Sequence, residues 1–120
     1  MKVIVKPRGK GKTTELIKLS AQTGAYIICQ DMRNADAIMR HAHELNLNIP
    51  CPITFYDFDN RMYFGAGIKG FLFDNLDDYI QHLSRNVPIL AVTLTENDNL
   101  PYINKPETYL KSWKKNPKIF

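Results

Sequence analysis

The sequence is poor in cysteine, has no long apolar stretch and is only mildly unbalanced in charge. Each of these shortages removes a class of protein. Cys29 and Cys51 are the only two cysteines in 120 residues. Each lies in an apolar stretch, so neither a disulfide framework nor a cysteine-rich metal site is expected. No apolar run approaches the ~20 residues that cross a bilayer. The N-terminus lacks the charged region, apolar run and cleavage site of a secretory signal. The expectation is therefore a cytoplasmic protein with no membrane partner. The net charge of +4 and the pI of about 9.1 fall short of the footprint of a dedicated DNA binder. There is no internal repeat and no low-complexity segment.

What is present is an ordinary folding composition. The apolar fraction is 44%, and 120 residues suffice for one core and one domain. The positive charge falls into two clusters. One is Lys6, Arg8, Lys10 and Lys12. The other is Lys105, Lys111, Lys114, Lys115 and Lys118.

The pattern along the chain alternates between strands and helices. Val3-Ile4-Val5 reads as a buried strand broken by turn chemistry from Pro7 to Gly11. A helix follows from Thr13, with Leu16, Ile17 and Leu19 apolar and Gly24 as its stop signal. Ala25-Tyr26-Ile27-Ile28-Cys29 is a second strand. Asp31 or Asn34 can cap a second helix carrying Ala35, Ile38, Met39, Ala42 and Leu45 at helical period. Ile53-Thr54-Phe55-Tyr56 is a third strand, and residues 57–70 read as a connection. Phe71-Leu72-Phe73 is a short strand, followed by a helix with Leu76, Ile80 and Leu83 on one face. Ile89-Leu90-Ala91-Val92-Thr93-Leu94 is the last strand. This order predicts an α/β fold: a mostly parallel sheet of about five strands with helices on both faces. Ligands of such sheets sit beyond the carboxyl ends of the strands. Residues 1–100 are expected to form this domain, and residues 101–120, with Pro101, Pro106 and Pro117, a basic arm.

The segment Lys6-Pro7-Arg8-Gly9-Lys10-Gly11-Lys12-Thr13 carries the second half of the phosphate-loop pattern G-x-x-x-x-G-K-[ST], with Lys6 in place of its first glycine. Gly9 and Gly11 let the backbone turn its N–H groups toward phosphate oxygens. The following helix aims its positive end at the same place. Lys12 would set its ammonium between the terminal phosphates, and Thr13 its hydroxyl on Mg²⁺. The segment resembles the Walker A motif of P-loop NTPases. Gly11-Lys12-Thr13-Thr14-Glu15-Leu16-Ile17 is also similar to the corresponding stretch of type II thymidine kinases, although their cysteine-rich zinc site and lasso-like substrate loop are not recognisable here. The Arg8-Gly9-x-Gly11-Lys12-Thr13 form looks like that of terminase and helicase-type motors. In layout the chain is similar to small P-loop proteins of phages and mobile elements. The resemblance implies ATP or GTP with Mg²⁺ as ligands, bound by Arg8, Gly9, Lys10, Gly11, Lys12, Thr13 and Thr14.

Phe71-Leu72-Phe73-Asp74 fits the short form of a Walker B motif. Asp74 would support the metal with Thr13, or else cap the helix that follows. Motors often carry Glu next; this chain has Asn75, which can position a water but cannot take its proton. The expected catalytic set is therefore Lys12, Asp74 and Asn75, with Asp31 as the first substitute acid and Asp77, Asp78 and Glu96 behind it. Thr93 and Thr95 occupy a sensor-like strand end, although threonine favours strands anyway.

Other features have plainer readings. His41 and His43 are two apart on a helix and point away from each other, so solvated histidines are expected rather than a zinc site. Arg33 reads as a surface arginine. Phe55, Tyr56, Tyr63 and Phe64, near Arg61 and Lys69, read as core aromatics before base-stacking ones. The sequence thus points to a slow NTPase (an ATPase, or one using GTP) in the nucleic-acid metabolism of a phage or similar element. The rival is a non-catalytic module that binds single-stranded nucleic acid through its basic loop or tail, or a protein partner or second copy through the C-terminal arm. A nucleoside or nucleotide kinase ranks third, since so short a chain shows no lid or acceptor site.

Overall fold

The computed structural model of the chain describes residues 2–63, 67–85 and 87–95. Helix α1, Lys12–Thr23, begins where the glycine turn ends. It buries Leu16, Ile17 and Ser20 on one face. It stops at Gly24, whose φ of 79° lets its N–H reach back to the Ser20 carbonyl at 2.8 Å. The buried Ser20 hydroxyl donates to the Ala25 carbonyl at 2.7 Å, so the turn into strand β1, Tyr26–Cys29, leaves no orphaned polar group.

Helix α2, Met32–Glu44, is capped by Asp31, whose carboxylate accepts from the Asn34 backbone N–H at 2.9 Å. Its buried stripe is Ala35, Ile38 and Ala42, whereas Met39 and Leu45 are exposed. Strand β2 is only Ile53–Thr54. The expected four-residue strand stops there because the Thr54 hydroxyl accepts from the Asp57 N–H at 3.1 Å and starts helix α3, Phe55–Asp59. Strand β3, Phe71–Phe73, and helix α4, Leu76–Leu83, complete the described elements.

The sheet has the order β2-β1-β3, with both pairings parallel. Ile28 pairs with Ile53 on one side and with Phe73 on the other, so β1 is the central strand. Successive side chains of a strand point to opposite faces, and β1 divides the core accordingly. Ile27 and Cys29 pack with Leu16, Ile17, Ala35, Ile38 and Ala42 of α1 and α2. Ile28 packs with Ile53 and Phe55 on the other face, which Tyr26, Phe58, Phe71, Phe73 and Tyr79 close over. Phe58 is the hub there, with ring centroids 5.1–5.8 Å from Phe71, Phe73, Tyr63 and Tyr79. Ile17, Ile27 and Ile28 are wholly buried, each worth roughly 1.5–3 kcal/mol.

The α/β class, the parallel pairing and the helices on both faces stand. The sheet, however, has three strands among the described residues, not about five. Residues 3–5 form no strand, though Ile4 packs against the α1–α2 core. Residues 89–94 form none either, and Ile89, Leu90, Val92 and Leu94 are exposed. An apolar run supplies propensity, but a strand exists only with a hydrogen-bonded neighbour. The expected arm, residues 101–120, lies outside the described residues. Among the described residues no helix is long and apolar enough to cross a membrane.

Candidate functional site

The Lys6–Thr13 segment forms a turn, closed by a Lys10 N–H to Pro7 carbonyl contact of 3.3 Å. Gly9 and Gly11 adopt φ of 78° and 86°, and both stand in open space. Their requirement is conformational: a Cβ would meet no neighbour, but an L side chain disfavours this backbone. Gly11 precedes α1 with no side-chain cap, so the free N–H groups of the first helical turn face the loop. Lys6 Nζ lies 3.3 Å from Glu15 Oε2 in an exposed pair that contributes little energy but ties the loop to α1. Arg8 and Lys10 are exposed.

Strand β3 delivers the second half of the site. Its carboxyl end lies beside β1, with the Asp74 N–H donating to the Ile28 carbonyl at 2.9 Å. Asp74 and Asn75 thereby meet the start of α1, more than sixty positions away in sequence. The Thr13 hydroxyl lies 3.4 Å from both carboxylate oxygens of Asp74. Lys12 Nζ lies 3.4 Å from Asn75 Oδ1. These contacts are long for hydrogen bonds; they describe four side chains converging on one place more than a closed network. Burial raises the Asp74 pKa above its ordinary value, while the Thr13 hydroxyl and the Lys12 ammonium pull it back and Asp78 and Asp77 add to the rise. Asp74 does not cap α4. Asn75, in the left-handed region at φ 60°, holds the cap position but makes no side-chain cap bond.

Other expected residues fall elsewhere. Asp31 is exposed, with its carboxylate engaged as the α2 cap. Asp77 and Asp78 occupy the first turn of α4 and are exposed, and Glu96 lies outside the described residues. Thr93 and Thr95 are exposed and outside any strand. Phe55 and Tyr63 belong to the aromatic core, Tyr56 is 66% exposed, and Phe64 lies outside the described residues. Arg33 is exposed, as expected. Burial, with Asp74 and Asp31 nearby, pushes the Cys29 thiol up to about 12, so it stays protonated and packs as an apolar side chain.

One residue is closer to the site than its sequence context suggests. His43 is exposed, but His41 is half-buried, with Nε2 at 3.3 Å from the Thr14 hydroxyl. Thr14 therefore faces α2 as well as the loop. Between the helices lies a cleft of about 210 Å³ lined by Thr13, Asn34, Ala37, Ile38, His41 and Asp74. The helical spacing of 34, 38 and 41 was visible in the sequence, but nothing there put that face against Thr13 and Asp74.

The arrangement offers a backbone turn with free N–H groups, one ammonium, one hydroxyl and one partly desolvated carboxylate. Among the described residues no group of three or more His, Cys, Asp or Glu is placed to hold a metal ion. Comparison of the chain with family profiles, curated proteins and solved structures gives no match.

Proposed function

We propose that the chain binds a nucleoside triphosphate, ATP or GTP, with Mg²⁺, and hydrolyses it slowly. The observation that carries this reading is the convergence of Lys12 and Thr13 with Asn75 and Asp74 at 3.4 Å. A motif match alone would not require a carboxylate opposite the threonine hydroxyl. The turn and the first N–H groups of α1 would cradle the phosphates, with Lys12 adding a fixed positive charge and Arg8 and Lys10 a diffuse one. Mg²⁺ is usually held by one or two carboxylates, waters and substrate phosphates. One hydroxyl and one half-buried carboxylate fit that donor set, and without a protein cage the cation would arrive with the nucleotide. It would supply charge neutralisation on the phosphates.

Slow turnover follows from Asn75. Its amide can orient a water, but among the described residues that line the cleft Asp74 is the one carboxylate. On this reading the fold is P-loop NTPase-like. Residues 1–100 would form the nucleotide-binding domain. Service in phage-type nucleic-acid metabolism, with single-stranded nucleic acid as a partner, belongs to the same proposal.

The contact of Asn75 with Lys12 favours a second reading, a non-catalytic module that binds nucleic acid or protein through its basic loop and arm. Titration of ATP and GTP with and without Mg²⁺, followed by a phosphate-release assay, separates the two. Mg²⁺-dependent binding with slow release supports the first. Absence of nucleotide binding alongside salt-dependent binding of single-stranded DNA supports the second.

A further inference from the structure

The cleft beside Thr13 and Asp74 is bounded by α2, and no residue of the glycine turn lines it. Its far wall is Asn34, Ala37, Ile38 and His41, the i, i+3, i+4 and i+7 positions of one helix face. Ile38 is buried and gives this wall an apolar floor. Asn34 and His41 give it polarity, and each side chain can donate an N–H. The Thr14 hydroxyl holds the His41 ring at 3.3 Å. In the tautomer whose Nε2 accepts from Thr14, Nδ1 carries the ring proton and remains a donor. Asn34 gives its backbone N–H to the Asp31 cap, while its side-chain amide makes no hydrogen bond among the described residues.

A single water occupies about 30 Å³, so a cleft of about 210 Å³ has room for a larger group. The wall opposite the two donors carries the hydroxyl and carboxylate of Thr13 and Asp74. A group rich in oxygen, lying beside a cation on the Thr13–Asp74 side and accepting hydrogen bonds from the α2 side, satisfies both walls. A phosphoryl group has that chemistry.

We propose that Asn34 and His41 recognise the terminal phosphate of the bound nucleotide and make the site prefer a triphosphate to a diphosphate. The proposal rests on the nucleotide-binding reading above. The loop backbone would contact phosphates that a triphosphate and a diphosphate share, and Lys12 would bridge the last two phosphates of either; the α2 pair would contact only the phosphate that hydrolysis removes. The site thereby gains a means of telling substrate from product, located on a helix that carries no recognisable phosphate motif.

The test is the affinity of the full chain for ATP and for ADP, each with Mg²⁺, compared among the parent, Asn34→Ala, His41→Ala and His41→Gln. Asn34 is exposed and contributes no side chain to the core, so Asn34→Ala keeps the test open if the histidine variants fold poorly. The parent should bind ATP more tightly than ADP. Asn34→Ala and His41→Ala should each weaken ATP about tenfold, as expected for a hydrogen bond to a charged group, and leave ADP within about twofold. His41→Gln, which retains an N–H donor, should recover part of the loss. Equal weakening of both nucleotides, or no change in either, overturns the proposal while leaving the nucleotide site standing. A parent that binds neither nucleotide overturns the nucleotide-binding reading, and this proposal with it.

Discussion

Replacing Asp74 by Asn should act in opposite directions on stability and on function. The carboxylate is half-buried, and burial is the leading cause of its raised pKa. For a carboxyl group whose folded pKa lies above the ordinary 3.8, its contribution to stability is full at acid pH and is lost as pH climbs through the folded pKa. At neutral pH the ionised group is therefore a net cost to the free protein. Each unit of such a rise corresponds to about 1.4 kcal/mol, but partial solvation discounts it. Asn keeps an oxygen that can accept from the Thr13 hydroxyl and removes the repulsion from Asp78 and Asp77; it loses the attraction of Lys12. The expected net gain for the ligand-free protein at pH 7 is on the order of 1 kcal/mol, a rise of a few degrees in Tm. The gain should shrink as pH is lowered toward 4 and the parent carboxyl protonates. Nucleotide binding should respond the other way. Mg²⁺-dependent ATP affinity should fall about tenfold to a hundredfold, while metal-free binding changes little. Thermal melts across pH, paired with ATP titrations in Mg²⁺ and in EDTA, measure both. A lowered Tm combined with unchanged Mg²⁺ dependence would refute the reasoning and make Asp74 a structural residue.

Lys12→Ala should weaken ATP and GTP binding by roughly 1.5–3 kcal/mol in a folded protein, measured by titration, because it removes the ammonium beside the loop. The isolated chain should hydrolyse ATP below the usual ~1–10³ per second of enzymes. Asn75→Glu should raise the rate in a phosphate-release assay if only the acid is missing. Ile17→Ala should cost about 2–5 kcal/mol in urea unfolding, since the side chain is wholly buried between the helices and β1. Deleting residues 105–120, which hold five lysines, should flatten the salt dependence of single-strand binding by about 0.7 per lost phosphate contact if the arm touches nucleic acid. If it docks on a second copy, the deletion should instead change oligomer size in light scattering.

Local chemistry explains which parts of this were legible in the sequence. Gly24 stops α1 and Asp31 caps α2 because each signal acts within a few residues of itself. Phe71–Phe73 and the Asp74 beyond it were equally readable, as an apolar run ending in a charge. The shortening of β2 was not, because a threonine in a strand pattern gives no sign that its hydroxyl will cap a helix at Asp57. Residues 89–94 have strand composition, but composition is silent on whether a neighbouring strand is there to pair. In the site, Lys12, Thr13, Asp74 and Asn75 were picked out by motif, and the fold brings them together. His41 reads as solvated from the sequence because its partner, Thr14, lies 27 positions away. Pairing at that distance depends on how α1 packs on α2, which periodicity does not encode.

The separation of Thr13 from Asp74 by 61 positions also has a consequence in time. A ribosome adds about 5–20 residues per second, so several seconds pass between the appearance of the glycine turn and that of the carboxylate that faces it. During that interval Lys6, Arg8, Lys10 and Lys12 form a cationic segment with no acidic side chain from β3 opposite. The central strand must then wait for β3 before the site can close. Docking β3 is therefore both the last step in building the described sheet and the step that brings Asp74 to the cleft, so a nascent chain that stalls before residue 71 would carry the loop without the carboxylate.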